Sequence, residues 1–393
     1  MTPVNHAVGV RLPLSGLLAL ASAGFITTLT EALPAGLLPQ IGAGLGVPDA
    51  LAGQLVTAYA VGSLLAAVPL MMATQSLRRR PLLLTAVVGF VIANTITAVS
   101  TRYGLTMVAR FIAGASAGLL WALLAGYAAR MAPDSLKGRA IAIAMAGTPL
   151  ALSLGIPAGV FIGSVIGWRA CFVGISGMTL ILIVWILAKV PDFSGQAPDR
   201  RASLFGVLGR AGVRPVLFVT LAFVLAHNIL YTYIAPFLSA VRLENRTDHV
   251  LLLFGVMSLM GIWGVGVLID RRLRGLTLVS TALFALAALA LWMGQGSPLV
   301  LYGAVAVWGL SFGGAATLFQ TALARASGDA ADVAQSMLVT VWNVAIAGGG
   351  LAGGLLLETV GAATFPVALL GLLVPALTVV WCARRHGFSA SSL

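Results

Sequence analysis

Residues 275–324 contain no Asp, Glu, Lys or Arg in fifty positions. A bilayer-spanning helix takes about 20 apolar residues, so this stretch is too long for one crossing. "GQGSP" at 294–298 supplies the turn that divides it. The same pattern runs along the chain, with apolar runs of membrane-spanning length separated by short basic turns. Of 393 residues, 60% are hydrophobic and 9% are charged. A soluble domain carries about 25% charged residues, so this chain cannot cover itself with polar surface. Lipid must be part of its solvent.

The runs predict twelve membrane helices, over 13–38, 51–75, 81–100, 103–128, 139–164, 169–189, 214–240, 249–269, 275–294, 298–324, 332–357 and 361–383. The first is too long for a signal-peptide core, lacks a convincing A-x-A cleavage site and is followed by equivalent runs. Twelve crossings put both termini on one face. That face holds Arg11, Arg78, Arg79, Arg80, Arg130, Lys137, Arg139, Lys189, Arg200, Arg201, Arg210, Arg214, Arg271, Arg272, Arg274, Arg325, Arg384 and Arg385. The other holds Arg102, Arg169, Arg242 and Arg246. This asymmetry predicts cytoplasmic termini. It also accounts for the net charge of +12 without nucleic acid, because the charge sits in turns between apolar runs. Cys171 and Cys382 fall near opposite faces, so neither a disulfide nor a metal framework is expected.

The chain divides at its midpoint. "KVPDFSGQAPDRRASLFGVLGRAGVRP" (189–215) is charged and rich in Pro and Gly, which predicts a linker at 191–213 between halves 1–190 and 214–393. The halves resemble each other. "PLMMATQSLRRRPLLL" (69–84) and "GVLIDRRLRGLTLV" (266–279) are basic turns after the second span of each half. "AGYAARMAP" (125–133) and "QTALARASG" (320–328) end the fourth spans. Duplicated six-helix units are the plan of many secondary transporters, with the substrate bound near the midplane between them.

These features resemble the major facilitator superfamily, and in particular its twelve-helix drug–proton antiporter branch. "GVLIDRRLRG" is similar to that family's gating loop through Gly266, Asp270, Arg271 and Arg274. The first-half copy keeps the basic triplet Arg78, Arg79 and Arg80 but has Gln75 near the expected acid. "ARFIAGASAG" (109–118) resembles the helix 4 motif whose arginine is tied to proton coupling. "GTPLALSLGIPAGVFIGSVIGWR" (147–169) resembles the helix 5 antiporter motif through Gly155, Pro157, Gly159 and Gly163. "TEALPAGLLPQI", "LLWALLAGYAARMAP", "AHNILYTYIAPF" and "DVAQSMLVTVWNVAIAGGGLAGG" resemble bacterial sugar and arabinose efflux transporters and relatives that export chloramphenicol or nucleosides. The resemblance implies an all-α membrane fold of two six-helix halves and an exporter working by alternating access. The substrate class stays open among sugar-like, drug-like and nucleoside molecules.

Glu31 and Arg110 are the charged residues set deep inside predicted spans, and ionisable groups there default to function. Glu31 lies about five residues past the centre of the outward-running first span. Arg110 lies about five before the centre of the inward-running fourth. At about 1.5 Å per residue, both sit roughly 7–8 Å beyond the midplane on the side away from the termini. The resemblance implies that both helices line the central cavity, so a direct or water-bridged pair is expected. Burial favours the neutral acid and a nearby guanidinium favours the carboxylate. A proton carrier needs that balance to change between states. The competing reading is a fixed ion pair, although buried pairs are poor stabilisers. Pro34 and Pro39 remove the helical partners of the Thr30 and Ala35 carbonyls, so the outer end of the first helix is expected to bend and expose polar backbone beside Glu31.

In the second half, His227 and Tyr231 share a helix face at i,i+4. Asn228 stands as far before Pro236 as Glu31 does before Pro39. These three are candidate substrate hydrogen-bonding residues, and ordinary interhelical bonds are the competing reading. Trp121, Trp308, Phe312, Gln320, Trp342 and Asn343 are further candidates for a mostly apolar site with a few polar groups. Asp270 is expected to latch onto a neighbouring helix end. The glycines spaced by four permit close helix packing.

No phosphate-binding loop, H-E-x-x-H or Cys/His ligand spacing is present, so enzymatic chemistry and direct ATP coupling are not expected. The expectation is a monomeric transporter with no cofactor, energised by the proton gradient. Its partners are a small-molecule substrate, protons and lipid, with no nucleic acid. A facilitator or proton-coupled uptake symporter is the alternative.

Overall fold

With almost no water to bond its backbone, a chain of this composition satisfies its N–H and C=O groups within helices. The computed structural model describes residues 12–196, 202–243, 247–294, 296–384 and 386–388, and the regular structure in these segments is all helical. Arg11, Arg200, Arg201, Arg246 and Arg385 of the charge asymmetry, and Gln295 of the predicted turn, lie outside the described residues.

The first half opens with α1 (Leu14–Gly36), which breaks at Leu37 and continues as α2 (Leu38–Leu45). Next come α3 (Asp49–Ala73), α4 (Arg79–Val99) and α5 (Tyr103–Arg130). The fifth crossing is built from α6 (Lys137–Met145), α7 (Gly147–Leu150), a π-turn over Ala151–Gly155, and α8 (Ile156–Ile166). The sixth is α9 (Trp168–Lys189). After the short α10 (Leu204–Leu208), the second half begins with α11 (Val213–Thr232) and α12 (Ile234–Ala240). It ends with α13 (Thr247–Met293), α14 (Pro298–Gly313), α15 (Ala315–Ser327), α16 (Ala331–Thr359) and α17 (Phe365–Cys382).

Ten stretches are long and apolar enough to cross a membrane. Two of them hold two crossings each: the 45 residues His249–Met293 and the 62 residues Pro298–Thr359. The first bends at Arg272, whose φ of −131° and ψ of 31° leave the helical region. The second is divided at Gly328, whose positive φ of 55° suits glycine. Among the described residues this makes six crossings on either side of the linker.

The duplication recurs in the packing. Gly114 and Gly118 of α5 press on the backbones of Tyr59 and Ser63 of α3. Gly309 and Gly313 of α14 press on those of Phe254 and Ser258 of α13. Each member of the second set lies 195 positions after its counterpart.

The bend expected at the outer end of the first helix comes at Leu37, where the Leu37 N–H closes a tight turn onto the Pro34 carbonyl at 3.1 Å. Pro39 then opens α2, where a missing N–H costs little. The fifth crossing contains a π-turn that apolar periodicity did not reveal. Gly155 at its end, and Gly159 and Gly163 beyond it, face the first crossing: a Cβ there would stand 2.8 Å from Phe25, 2.6 Å from Leu33 and 2.6 Å from Leu37. Those glycines join helices of the same half.

The first part of the linker is docked on the first half. Asp192 pairs with Arg78 at 2.7 Å and accepts from the Arg80 N–H at 3.0 Å. The Tyr127 hydroxyl donates to the Pro191 carbonyl at 2.6 Å. Gln75 holds the linker's later part, accepting from the Ala202 N–H at 3.0 Å and donating to its carbonyl at 3.2 Å.

Candidate functional site

α1 carries a polar stripe inside the first half. Thr27 and Thr30 are fully buried, and the Thr30 hydroxyl accepts from the Asn94 amide at 3.1 Å. Thr28 meets Thr148 at 3.3 Å. Glu31 follows, half-buried, with no hydrogen bond or ion pair on its carboxylate among the described residues. Arg110 of α5 is fully buried. Its Nε donates to the Leu55 carbonyl at 3.4 Å, and its guanidinium carbon lies 4.9 Å above the ring centre of Tyr59. Its two terminal nitrogens have no partner. The expected direct pair is therefore absent. The acid and the base are close enough to act on each other electrostatically, and α3 supplies the tyrosine that the guanidinium covers. Spacing gave no sign of Tyr59, because an aromatic inside an apolar span reads as packing.

The second half holds an aromatic cluster where α11, α13 and α14 meet. The His227 ring stacks on Phe312, with centroids 3.5 Å apart, and lies 5.1 Å from Tyr231 and 5.4 Å from Trp308. Phe254, missed in the sequence, lies 4.4 Å from Trp308 and 5.6 Å from His227. Trp342 joins through Phe312 at 6.4 Å. His227 Nδ1, Trp308 Nε1 and Gln320 Oε1 are buried without partners, leaving one donor, one acceptor and an imidazole nitrogen to satisfy. Asn228 and Asn343 donate within their own helices, to the Val224 carbonyl at 2.8 Å and the Val339 carbonyl at 2.9 Å. Tyr231 is 41% exposed, so one edge of the cluster is open. Trp121 is not part of it: it lies in the first half, over Gly24 of α1.

The face carrying the basic turns is closed by two contacts between the halves. Asp270 accepts from the Gly138 N–H at 2.6 Å and the Arg139 N–H at 3.2 Å, at the start of α6. Those N–H groups have no partner within the helix, and the helix dipole favours a carboxylate there. This is the latch expected of Asp270, but its arginines act elsewhere. Arg274 donates to the Trp381 carbonyl at 2.9 Å in its own half, and Arg271 is exposed. Arg325 donates to the Asp270 carbonyl at 3.3 Å.

The second contact has the reverse polarity. Arg79 reaches Asp332, in the first turn of α16, at 3.0 Å, and Arg130 reaches the same oxygen at 2.8 Å. The first-half turn has Gln75 instead of an acid, and the acid stands across the interface on α16. Asp332, and its pairing with Arg130, went unnoticed in the sequence because a pair 202 positions apart leaves no spacing signal.

Two membrane-embedded six-helix halves, the first holding an unpaired acid and a buried guanidinium within its apolar spans, define a transporter-type membrane protein. The chain belongs to the Major Facilitator Superfamily, whose family description matches residues 20–350. It is 29% identical over 388 residues to a protein of Mannheimia succiniciproducens named "Probable sugar efflux transporter", covering 96% of this chain and 95% of that one. It is also 29% identical over 377 residues to "Transcription regulatory protein OpdE" of Pseudomonas aeruginosa, covering 94% of each. Its fold is similar to that of the proton:xylose symporter XylE bound to 6-bromo-6-deoxy-D-glucose. The TM-score is 0.75 at 14% identity, over 96% of this chain and 98% of that one.

Proposed function

We propose that this protein exports a sugar-like or related small molecule from the cytoplasm in exchange for protons, by alternating access of two halves hinged at the linker. The basic face is the cytoplasmic one, the membrane is a bacterial inner membrane, and the transporter works as a monomer. Glu31 takes up a proton from outside and releases it inside. Arg110 sets when it does so, and the substrate binds against His227, Tyr231, Trp308 and Phe312. The observation that carries this reading is the Glu31 carboxylate left unpaired while Arg110 keeps two unpartnered nitrogens. A fixed structural pair would have closed. A buried guanidinium without partners is costly, so the arrangement favours a state in which those nitrogens find one.

The likeness to XylE supports a second reading, a proton-coupled uptake symporter on the same fold. The name of the Pseudomonas relative supports a third, a membrane regulator that transports nothing. Counterflow in proteoliposomes with radiolabelled monosaccharides, chloramphenicol and nucleosides separates transport from regulation. An imposed pH gradient then separates export from uptake. With a substrate in hand, Glu31→Gln is expected to retain counterflow and lose proton-driven accumulation. If it accumulates substrate at the wild-type rate, Glu31 is not the proton carrier.

A further inference from the structure

We infer that Tyr59 is a positioning residue that keeps Arg110 off Glu31 in the conformation closed at the basic face. The inference rests on the proposed proton role of Glu31 and adds the device that controls it.

Tyr59 of α3 is held at three points. Its backbone is pressed by Gly114 of α5, where a Cβ would clash with the Tyr59 carbonyl. Its ring lies under the Arg110 guanidinium at 4.9 Å, while Arg110 Nε bonds the Leu55 carbonyl one helical turn before Tyr59. Its hydroxyl donates to the Thr27 carbonyl at 3.2 Å, one helical turn before Glu31. One buried side chain thus occupies the guanidinium and grips the turn that carries the acid. Both charges act on Tyr59 electrostatically. A cation over an aromatic face is attracted by the ring quadrupole, the more so when desolvated, and that attraction competes with a pairing that would require Glu31 to leave its half-exposed position.

The internal duplication supplies an independent comparison. Phe254 stands 195 positions after Tyr59 and takes the same backbone contact from Gly309. The counterpart of Arg110 at that offset is Val305. The hydroxyl is present only in the half that carries the acid and the base. Packing alone is served by phenylalanine, so the hydroxyl answers to the charges.

Few other groups bear on Glu31. α2, α7 and α8 carry no ionisable side chains. α4 brings Arg79 and Arg80, α6 Lys137 and Arg139, and α9 Arg169, Cys171 and Lys189, all towards their ends. The remaining ionisable residues of α5, namely Tyr103, Tyr127 and Arg130, are likewise terminal.

Movement of α3 relative to α5 would slide the ring from under Arg110 and let the guanidinium reach the acid. An approaching cation favours the carboxylate, which is the step that expels the proton.

Infrared pH titration of the full chain in lipid bilayers tests this without a known substrate. The carboxylic C=O band lost in Glu31→Gln reports Glu31. Tyr59→Leu, which removes the spacer, is expected to move the midpoint of that band to lower pH by about one unit, a tenfold change in proton affinity. Tyr59→Phe, which keeps the ring and loses the tie to α1, is expected to move it the same way by less. It decides the matter alone should the leucine variant not fold. A Glu31 band that titrates at the wild-type midpoint in the folded variants overturns the role of Tyr59 and leaves that of Glu31 standing. If Glu31→Gln removes no titrating band, the proton role of Glu31 falls and this inference falls with it.

Discussion

Arg79 and Asp332 lie 3.0 Å apart and are almost wholly buried, yet they come from opposite halves of the chain. Arg130 meets the same Asp332 oxygen at 2.8 Å from the rim of the contact. One carboxylate therefore bridges two arginines where α4, α5 and α16 converge, and opening the basic face must separate them.

Removing that carboxylate strands a buried arginine, a change that costs roughly 3–5 kcal/mol. Asp332→Asn is therefore expected to shift the protein towards a state open at the basic face. Spin labels at exposed Leu77 and Arg271, with Cys171 and Cys382 replaced, would show a longer distance distribution in the variant. An unchanged distribution would mean that this cluster does not hold the face closed.

The Asp270 contact is weaker, because its carboxylate accepts from backbone N–H groups instead of a buried cation. Asp270→Asn keeps one acceptor and loses the charge at the α6 terminus, a loss of about 1 kcal/mol. The same labels should report a smaller opening than in Asp332→Asn. An equal or larger one would reverse the ranking of the two latches.

Arg210 ties α10 to the start of α16, bonding the Ser327 carbonyl and the Asp329 carboxylate, the latter at 2.6 Å. That hydrogen bond holds the Asp329 carboxyl below its ordinary value of 3.8. A depressed folded value means that the contact's contribution is complete above the ordinary value and is lost as pH falls through the depressed one. Because Asp329 is mostly exposed, the effect is under about 1 kcal/mol. Hydrogen exchange at residues 203–210, corrected for intrinsic rate, should quicken as the pH falls from about 5 to about 3. Arg210→Ala should abolish the difference.

Two glycines of the fifth crossing should respond differently to alanine. At Gly147 a new Cβ meets the backbone of Ala21 and Phe25, which cannot move aside. At Gly159 it meets the tip of the Leu33 side chain, which can. Gly147→Ala is expected to cost roughly 1–3 kcal/mol, and Gly159→Ala distinctly less. Thermal unfolding in detergent would reveal the order, and equal midpoints would contradict it.

The crossings were legible because each apolar run has one residue-level meaning: bilayer length. Glu31 and Arg110 were legible because counting from helix ends gives depth without tertiary information. What failed to appear depends on which helices touch. Gln75 showed that an acid was missing from the first turn, but not that Asp332 stands in for it on the other half. His227, Tyr231, Trp308 and Phe312 were each candidates. Phe254, which completes their cluster, was not, because nothing local distinguishes it from lipid-facing phenylalanines. The π-turn escaped because one extra residue hardly alters an apolar pattern while it turns every later side chain to a new bearing.

That turn has a mechanical consequence. It aims Gly155, at the end of the turn, and Gly159 and Gly163 of α8 at Phe25 and Leu33 of α1 and at Leu37 just past its end, so the first and fifth crossings interlock like meshed teeth along the length that carries Glu31. Neither can slide along the other without climbing a leucine. The two helices form a single stiff lever with the acid on its flank, and any tilt of the first half swings Glu31 with it as one piece.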